Sequence, residues 1–104
     1  MIDNIEVKKE IKRQILESLA SESEILKIII FGSFIHSGNP RDIDIAIIQD
    51  SNQPYLKLAL KYRKLMRDLS RKIPLDVIPI KFGYSTHWFL NEINSGELIY
   101  ERRD

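Results

Sequence analysis

The sequence predicts an α/β (α+β) protein, a small mixed β-sheet flanked by helices, on three observations. Four short runs rich in β-branched or apolar residues, "ILKIIIF" (25–31), "DIDIAII" (42–48), "PLDVIPI" (74–80) and "ELIYE" (97–101), read as strands. A segment of helical periodicity separates the second run from the third and is long enough for a parallel crossover. Only residues 32–41 separate the first run from the second, which suits antiparallel neighbours.

Taken in order, residues 4–20 form an amphipathic helix, because Val7, Ile11, Ile15 and Leu19 recur every fourth position with Lys8, Lys9, Lys12 and Arg13 off that stripe. "SESE" (21–24) breaks it. The first strand ends at Gly32, and "SFIHSGNP" has room for a helical turn before the turn residues Gly38, Asn39 and Pro40. In the second strand Ile43, Ile45 and Ile47 occupy one face, and Asp42, Asp44 and Ala46 the other. Pro54 suits the first turn of a helix running to about residue 72, with Leu58, Tyr62, Leu65, Met66 and Leu69 as its core stripe. Pro79 marks the third strand as an edge or an early end. A helix over 85–94, with Trp88, Phe89 and Ile93 inward, precedes the Ser95-Gly96 turn and the last strand.

Composition narrows the class. A chain of 104 residues with 43% hydrophobic and 30% charged residues has the balance of one soluble globular domain. Sixteen Lys plus Arg against fifteen Asp plus Glu give a formal charge of +1, so global charge does not point to bulk nucleic-acid or membrane binding. The absence of cysteine excludes disulfides and thiolate metal sites. No apolar run is long enough to span a bilayer, and "MIDNIEVKKE" lacks the apolar centre of a signal peptide, so a cytoplasmic protein is expected.

The chemistry concentrates at one end of the expected sheet. There the end of the first strand meets the beginnings of the second and third, gathering Gly32, Ser33, Asp42, Asp44 and Asp76. Asp42 and Asp44 point the same way, their Cα atoms roughly 6.6 Å apart. Carboxylates without counter-charge are costly to bury, and three together repel. Divalent cations resolve that conflict: oxygen ligands with open positions suit Mg²⁺, and two such ions can hold the attacking and leaving oxygens of a phosphoryl displacement. Gly32 lets the backbone approach a phosphate, and Ser33 offers its N–H and hydroxyl. The plainer reading, a strand with one wet face, is disfavoured because Ala46 and Ile48 share the face of the carboxylates. His36 and His87 read as solvent-facing and are given no role. Lys57, Lys61, Lys64 and Arg71, with Arg63, Arg67 and Lys72 nearby, read first as the solvated side of the long helix; the sharper reading is a docking surface for an acidic partner or an RNA backbone.

At these residues the chain resembles the polymerase-β-type nucleotidyltransferases, in particular the small stand-alone minimal nucleotidyltransferases. The likeness rests on Gly32-Ser33, a short insert, Asp42-Ile43-Asp44, and Asp76 in an apolar strand after a helix, and it spans nearly the whole chain to the "GELIYE" end. It implies the palm-like nucleotidyltransferase fold, one domain over residues 1–104, and metal-dependent transfer of a nucleoside monophosphate, AMP from ATP, onto a hydroxyl. Gly32 and Ser33 would hold the phosphates, with Arg41 adding a cation. Asp42, Asp44 and Asp76 would ligate two Mg²⁺ ions, Asp76 being also the candidate base. Two departures stand out. The insert between Ser33 and Asp42 has eight residues, and Phe34, Ile35 and His36 stand where the family often carries an arginine.

With most of the chain used in building the sheet, the acceptor is expected on another protein. The resemblance implies a HEPN-domain toxin modified on a tyrosine, this chain being its antitoxin, with nucleic acid not expected as direct substrate. The alternative is a catalytically weak or inactive binding module that neutralises its partner by complex formation. A third reading is a small-molecule nucleotidyltransferase whose acceptor site forms across a homodimer.

Overall fold

A computed structural model of the chain describes residues 4–38, 40–83 and 94–103. Along the sequence run α1 (Asn4–Leu19), β1 (Ile25–Phe31), the single turn α2 (Ser33–His36), β2 (Ile43–Gln49), α3 (Tyr55–Leu65), α4 (Arg67–Ser70), β3 (Leu75–Lys81) and β4 (Glu97–Glu101). The expected helix over 85–94 lies, but for Asn94, outside the described residues.

The four strands form one mixed sheet in the order β3-β2-β1-β4. β1 pairs antiparallel with β2 and with β4, while β2 and β3 run parallel. The short insert between β1 and β2 leaves no length for a crossover, whereas α3 and α4 supply one between β2 and β3. Pro79, which cannot donate to a ladder, sits as expected on an outer strand.

Period-two alternation gives the sheet two unlike faces. On one, Ile28, Ile30, Ile43, Ile45, Ile47 and Val77 are buried with Ile15, Leu19, Leu58, Tyr62, Met66 and Leu69 from the helices. Each such side chain contributes about 1.5–3 kcal/mol relative to exposure, so this face fixes the register. The other face carries a smaller cluster of Ile29, Phe31 and Ala46, flanked by Ile48, Ile78 and Ile80. Asp44 and Asp76 lie on that second face by alternation with Ala46 and Ile78.

Three helical details differ from expectation. The long helix is interrupted at Met66, whose φ of −103° and ψ of 21° leave the helical region, and it resumes as α4. Leu65 is 39% exposed rather than in the core stripe, lining an open groove with Gln14, Glu17 and Ser18 of α1. Val7, near the start of α1, is likewise exposed, so the stripe of α1 becomes fully buried only at Ile15 and Leu19.

Polar ties hold the crossover to the sheet. Glu24, just before β1, accepts hydrogen bonds from the Tyr62 hydroxyl (2.8 Å) and Lys61 Nζ (3.0 Å), and Lys61 also pairs with Glu22 at 2.7 Å. At the far end of β3, Lys81 Nζ donates to the carbonyls of Asp50 (3.2 Å) and Ser51 (2.6 Å) and to Asn52 Oδ1 (3.2 Å), pinning the β2–α3 loop.

Burial alone would raise the Glu24 pKa, but hydrogen bonds from Tyr62, its own backbone N–H and Lys61 outweigh it and hold the carboxyl below its ordinary value of 4.5. A depressed folded-state value means stability that is complete above that ordinary value and drains as the pH falls through the folded-state value. Glu24→Gln is therefore expected to cost about 1–2 kcal/mol in urea denaturation at neutral pH. The difference from wild type should shrink as the pH falls below the ordinary value of 4.5 and through the lower folded-state value.

Candidate active site

The strand register assembles the site. In the antiparallel ladder Phe31 is the partner of Asp44, and in the parallel ladder Asp44 is the partner of Asp76. Neighbouring strands lie about 4.8 Å apart, and partners in a ladder project to the same face, so Asp44 and Asp76 stand side by side at one end of the second face. The Ile43 N–H, donating to the Pro74 carbonyl at 2.9 Å, starts the ladder just below Asp76 and fixes where Asp42 enters.

Gly32 follows Phe31 and turns the chain across Asp44. Its φ is +78° and its ψ −152°, a conformation side chains rarely adopt. A Cβ there would meet Asp44 Oδ2 at 2.3 Å and Asp44 Cγ at 3.3 Å. The glycine thus admits both the turn and the close approach of a carboxylate to the backbone. Ser33 opens α2, its hydroxyl lies 3.4 Å from Asp42 Oδ1, and its carbonyl accepts from the Ser37 N–H at 2.8 Å. Gly32, Ser33, Asp42, Asp44 and Asp76 thus share one end of the sheet. Arg41, exposed and adjacent to Asp42, forms no ion pair among the described residues.

The carboxylates are neighbours in the backbone, yet their side chains are not drawn to a common point. Among the described residues no group of three or more His, Cys, Asp or Glu is placed to hold a metal ion. Asp42 turns towards the Ser33 hydroxyl, Asp44 towards Gly32, and Asp76 is exposed. Like charges on adjacent positions splay apart unless something positive stands between them. The donor set nevertheless fits a hard divalent cation, being all oxygen, on one sheet end, with solvent access for further ligands.

Two further residues shape the site. Phe34 is fully buried, so the position after Ser33 serves the core and anchors the insert. Lys8 of α1 donates to the Ser37 carbonyl at 2.8 Å, with its Nζ 5.3 Å from the centre of the Phe34 ring, bracing the insert from behind. The sequence placed Lys8 merely off the apolar stripe; the contact crosses 29 positions and left no local pattern. A groove of about 520 Å³ lies on that rear side, among Val7, Ile11, Phe34, Pro40 and Ile73, and contains none of the site carboxylates.

With this geometry in place, the comparison with protein families is decisive. The model for the polymerase beta nucleotidyltransferase domain matches residues 13–104. The chain belongs to the nucleotidyltransferase family of that name. The fold expected from the resemblance is borne out, as solved structures agree. One describes a tri-AMPylated HEPN toxin of Shewanella oneidensis in complex with MNT antitoxin; the match has 17% identity, a TM-score of 0.61, and covers 91% of this chain and 73% of the other. A toxin–antitoxin structure with AMP-PNP matches at 18% identity and TM-score 0.62, over 88% and 74% of the two chains. A structure described as a putative nucleotidyltransferase from Sulfolobus solfataricus matches at 22% identity and TM-score 0.55, over 95% and 84%. No curated protein matches. No helix among the described residues is long and apolar enough to cross a membrane.

Gly32→Ala should combine backbone strain with the clash on Asp44, lowering stability by about 1–3 kcal/mol in urea denaturation. Relief of the clash by Asp44→Ala in the double variant should recover part of that loss, a coupling that a double-mutant cycle reads directly.

Proposed function

We propose that the chain, as a single nucleotidyltransferase domain over residues 1–104, transfers AMP from ATP to a tyrosine hydroxyl of a HEPN-type toxin and thereby acts as its antitoxin in the cytoplasm. The observation that carries the reading is the alignment of Phe31, Asp44 and Asp76 across three strands, with Gly32 against the Asp44 carboxylate. Family membership supports nucleotidyl transfer as the chemistry. The complex of a tri-AMPylated HEPN toxin with MNT antitoxin and the toxin–antitoxin structure with AMP-PNP support the choice of acceptor and nucleotide.

Asp42, Asp44 and Asp76 are the residues that would hold Mg²⁺. When bound, magnesium neutralises charge on the phosphate oxygens and eases loss of the acceptor proton. Ser33 donates its N–H and hydroxyl to the triphosphate. Gly32 leaves space for that approach, and the free guanidinium of Arg41 adds positive charge at the rim. The acceptor oxygen forms a bond to the α-phosphorus while the bond to pyrophosphate breaks, and the Asp76 carboxylate serves as the base that takes the acceptor's proton.

The second reading, a binding module without transfer, is favoured by a specific feature: Phe34 is committed to the core, so no cation follows Ser33 directly. Incubating labelled ATP, Mg²⁺ and the partner toxin separates the two. Transfer is expected with the wild-type chain, lost with EDTA and reduced at least about a hundredfold by Asp44→Asn. If no label reaches the partner and toxin inhibition survives Asp42→Asn and Asp76→Asn, the binding-module reading replaces this one.

A further inference from the structure

The outer side of the crossover carries features that neither the core nor the carboxylate site uses. α3 contains no acidic residue. Lys57, Arg63, Lys64 and Arg67 have exposed side chains without an ion-pair partner among the described residues. Lys61 and Arg71, by contrast, are tied to Glu22 and Glu24 and to Asp68. Beside those cations Leu56 is 66% exposed, Leu60 57% and Tyr55 56%.

The spacing makes a surface of these residues. Positions 56, 60 and 63 advance by four and three, which places them on one stripe of α3, and exposed Arg67, the first residue of α4 after the break at Met66, follows its arginine end in sequence. The stripe is apolar at Leu56 and Leu60 and cationic at Arg63 and, past the break, Arg67. Its polarity follows the topology: α3 leaves the far end of β2 and returns to the end where β3 begins at Leu75. The arginine half therefore lies towards the end of the sheet that carries Asp44 and Asp76.

We infer that this stripe docks the acceptor protein by receiving an acidic amphipathic helix, with apolar side chains one turn apart on Leu56 and Leu60 and carboxylates against Arg63 and Arg67. The inference rests on the proposed transfer for the identity of the acceptor, not for the existence of the surface. Charge complementarity selects an acidic occupant: four cations on one outer face repel one another until carboxylates meet them. The exposed leucine pair selects protein over RNA, since a phosphate backbone leaves apolar side chains without partners. Leucines that gain nothing from the core gain burial here, and Tyr55 and the arginines belong to the residue types that dominate binding energy at interfaces.

The test uses the full chain and the separately purified partner toxin, with association measured by calorimetry. Leu56→Ser with Leu60→Ser, and separately Arg63→Glu with Arg67→Glu, should each weaken association at least about tenfold. Binding of a fluorescent ATP analogue and thermal stability should be unchanged, because these side chains are exposed. Raising NaCl from about 0.1 M to about 0.5 M should weaken the wild type but barely affect Arg63→Glu with Arg67→Glu. Wild-type affinity in both double variants, no association of the wild type with the toxin, or loss of binding to a short RNA duplex with toxin association retained overturns the inference. The catalytic reading is scored separately. Association that persists in Asp44→Asn without label transfer by the wild type sinks transfer and leaves docking standing. Equal transfer by wild type and Arg63→Glu with Arg67→Glu sinks docking alone.

Discussion

The close passage of the Asp44 carboxylate beneath the backbone at Gly32 is the constraint around which the molecule is arranged. Asp44 Oδ2 stands where a side chain at position 32 would have to be, and the turn there has a positive φ. Only glycine meets both conditions without strain. The antiparallel pairing of β1 with β2 sets Phe31 opposite Asp44, so the residue after Phe31 must turn over that carboxylate. The parallel pairing of β2 with β3 then sets Asp76 beside it. A one-residue slip in either ladder would send the aspartates to the face occupied by the helices, and the isoleucines at 43, 45 and 47 resist such a slip.

The division of labour between the sheet faces explains how a small domain keeps charge near its core. The helical face supplies most of the buried apolar surface and holds the strands in register. That frees the end of the other face for carboxylates which, without compensation, oppose folding. The departures from the family pattern have the same logic. Phe34 occupies the core and anchors the short insert, while Lys8 braces it from α1. The Ser33 hydroxyl lies 3.4 Å from Asp42 Oδ1, and Arg41 precedes Asp42 in the chain.

Low identity to the matched structures, with similar folds over most of the chain, fits this picture. The pattern of inward isoleucines can be met by many apolar sequences, whereas the turn at Gly32 and the spacing of the aspartates admit few substitutes. Exposed positions follow neither constraint, and there the chain carries its own arrangement of leucines and unpaired cations on α3 and α4.

Much was legible in the linear sequence because local periodicity encodes it. Alternation in "DIDIAII" assigned Asp44 to the face of Ala46, and the lengths between runs assigned antiparallel and parallel partners, as the register bears out, while Asp42 falls just before the strand and outside both ladders. The break at Met66, the exposure of Leu65 and the bracing by Lys8 were not legible, since each depends on what a distant segment covers. Lys61 shows the limit most plainly: its spacing marked it as one cation on a solvated helix, yet folding brings it to Glu22 and Glu24 across the start of β1. By itself the sequence determined which residues alternate, which turn and which carry charge, because these follow from backbone geometry within a few residues. Tertiary structure alone decided that Asp44 lies against Gly32, which cations are neutralised and which remain free, because those depend on distances closed only when the sheet and its helices pack.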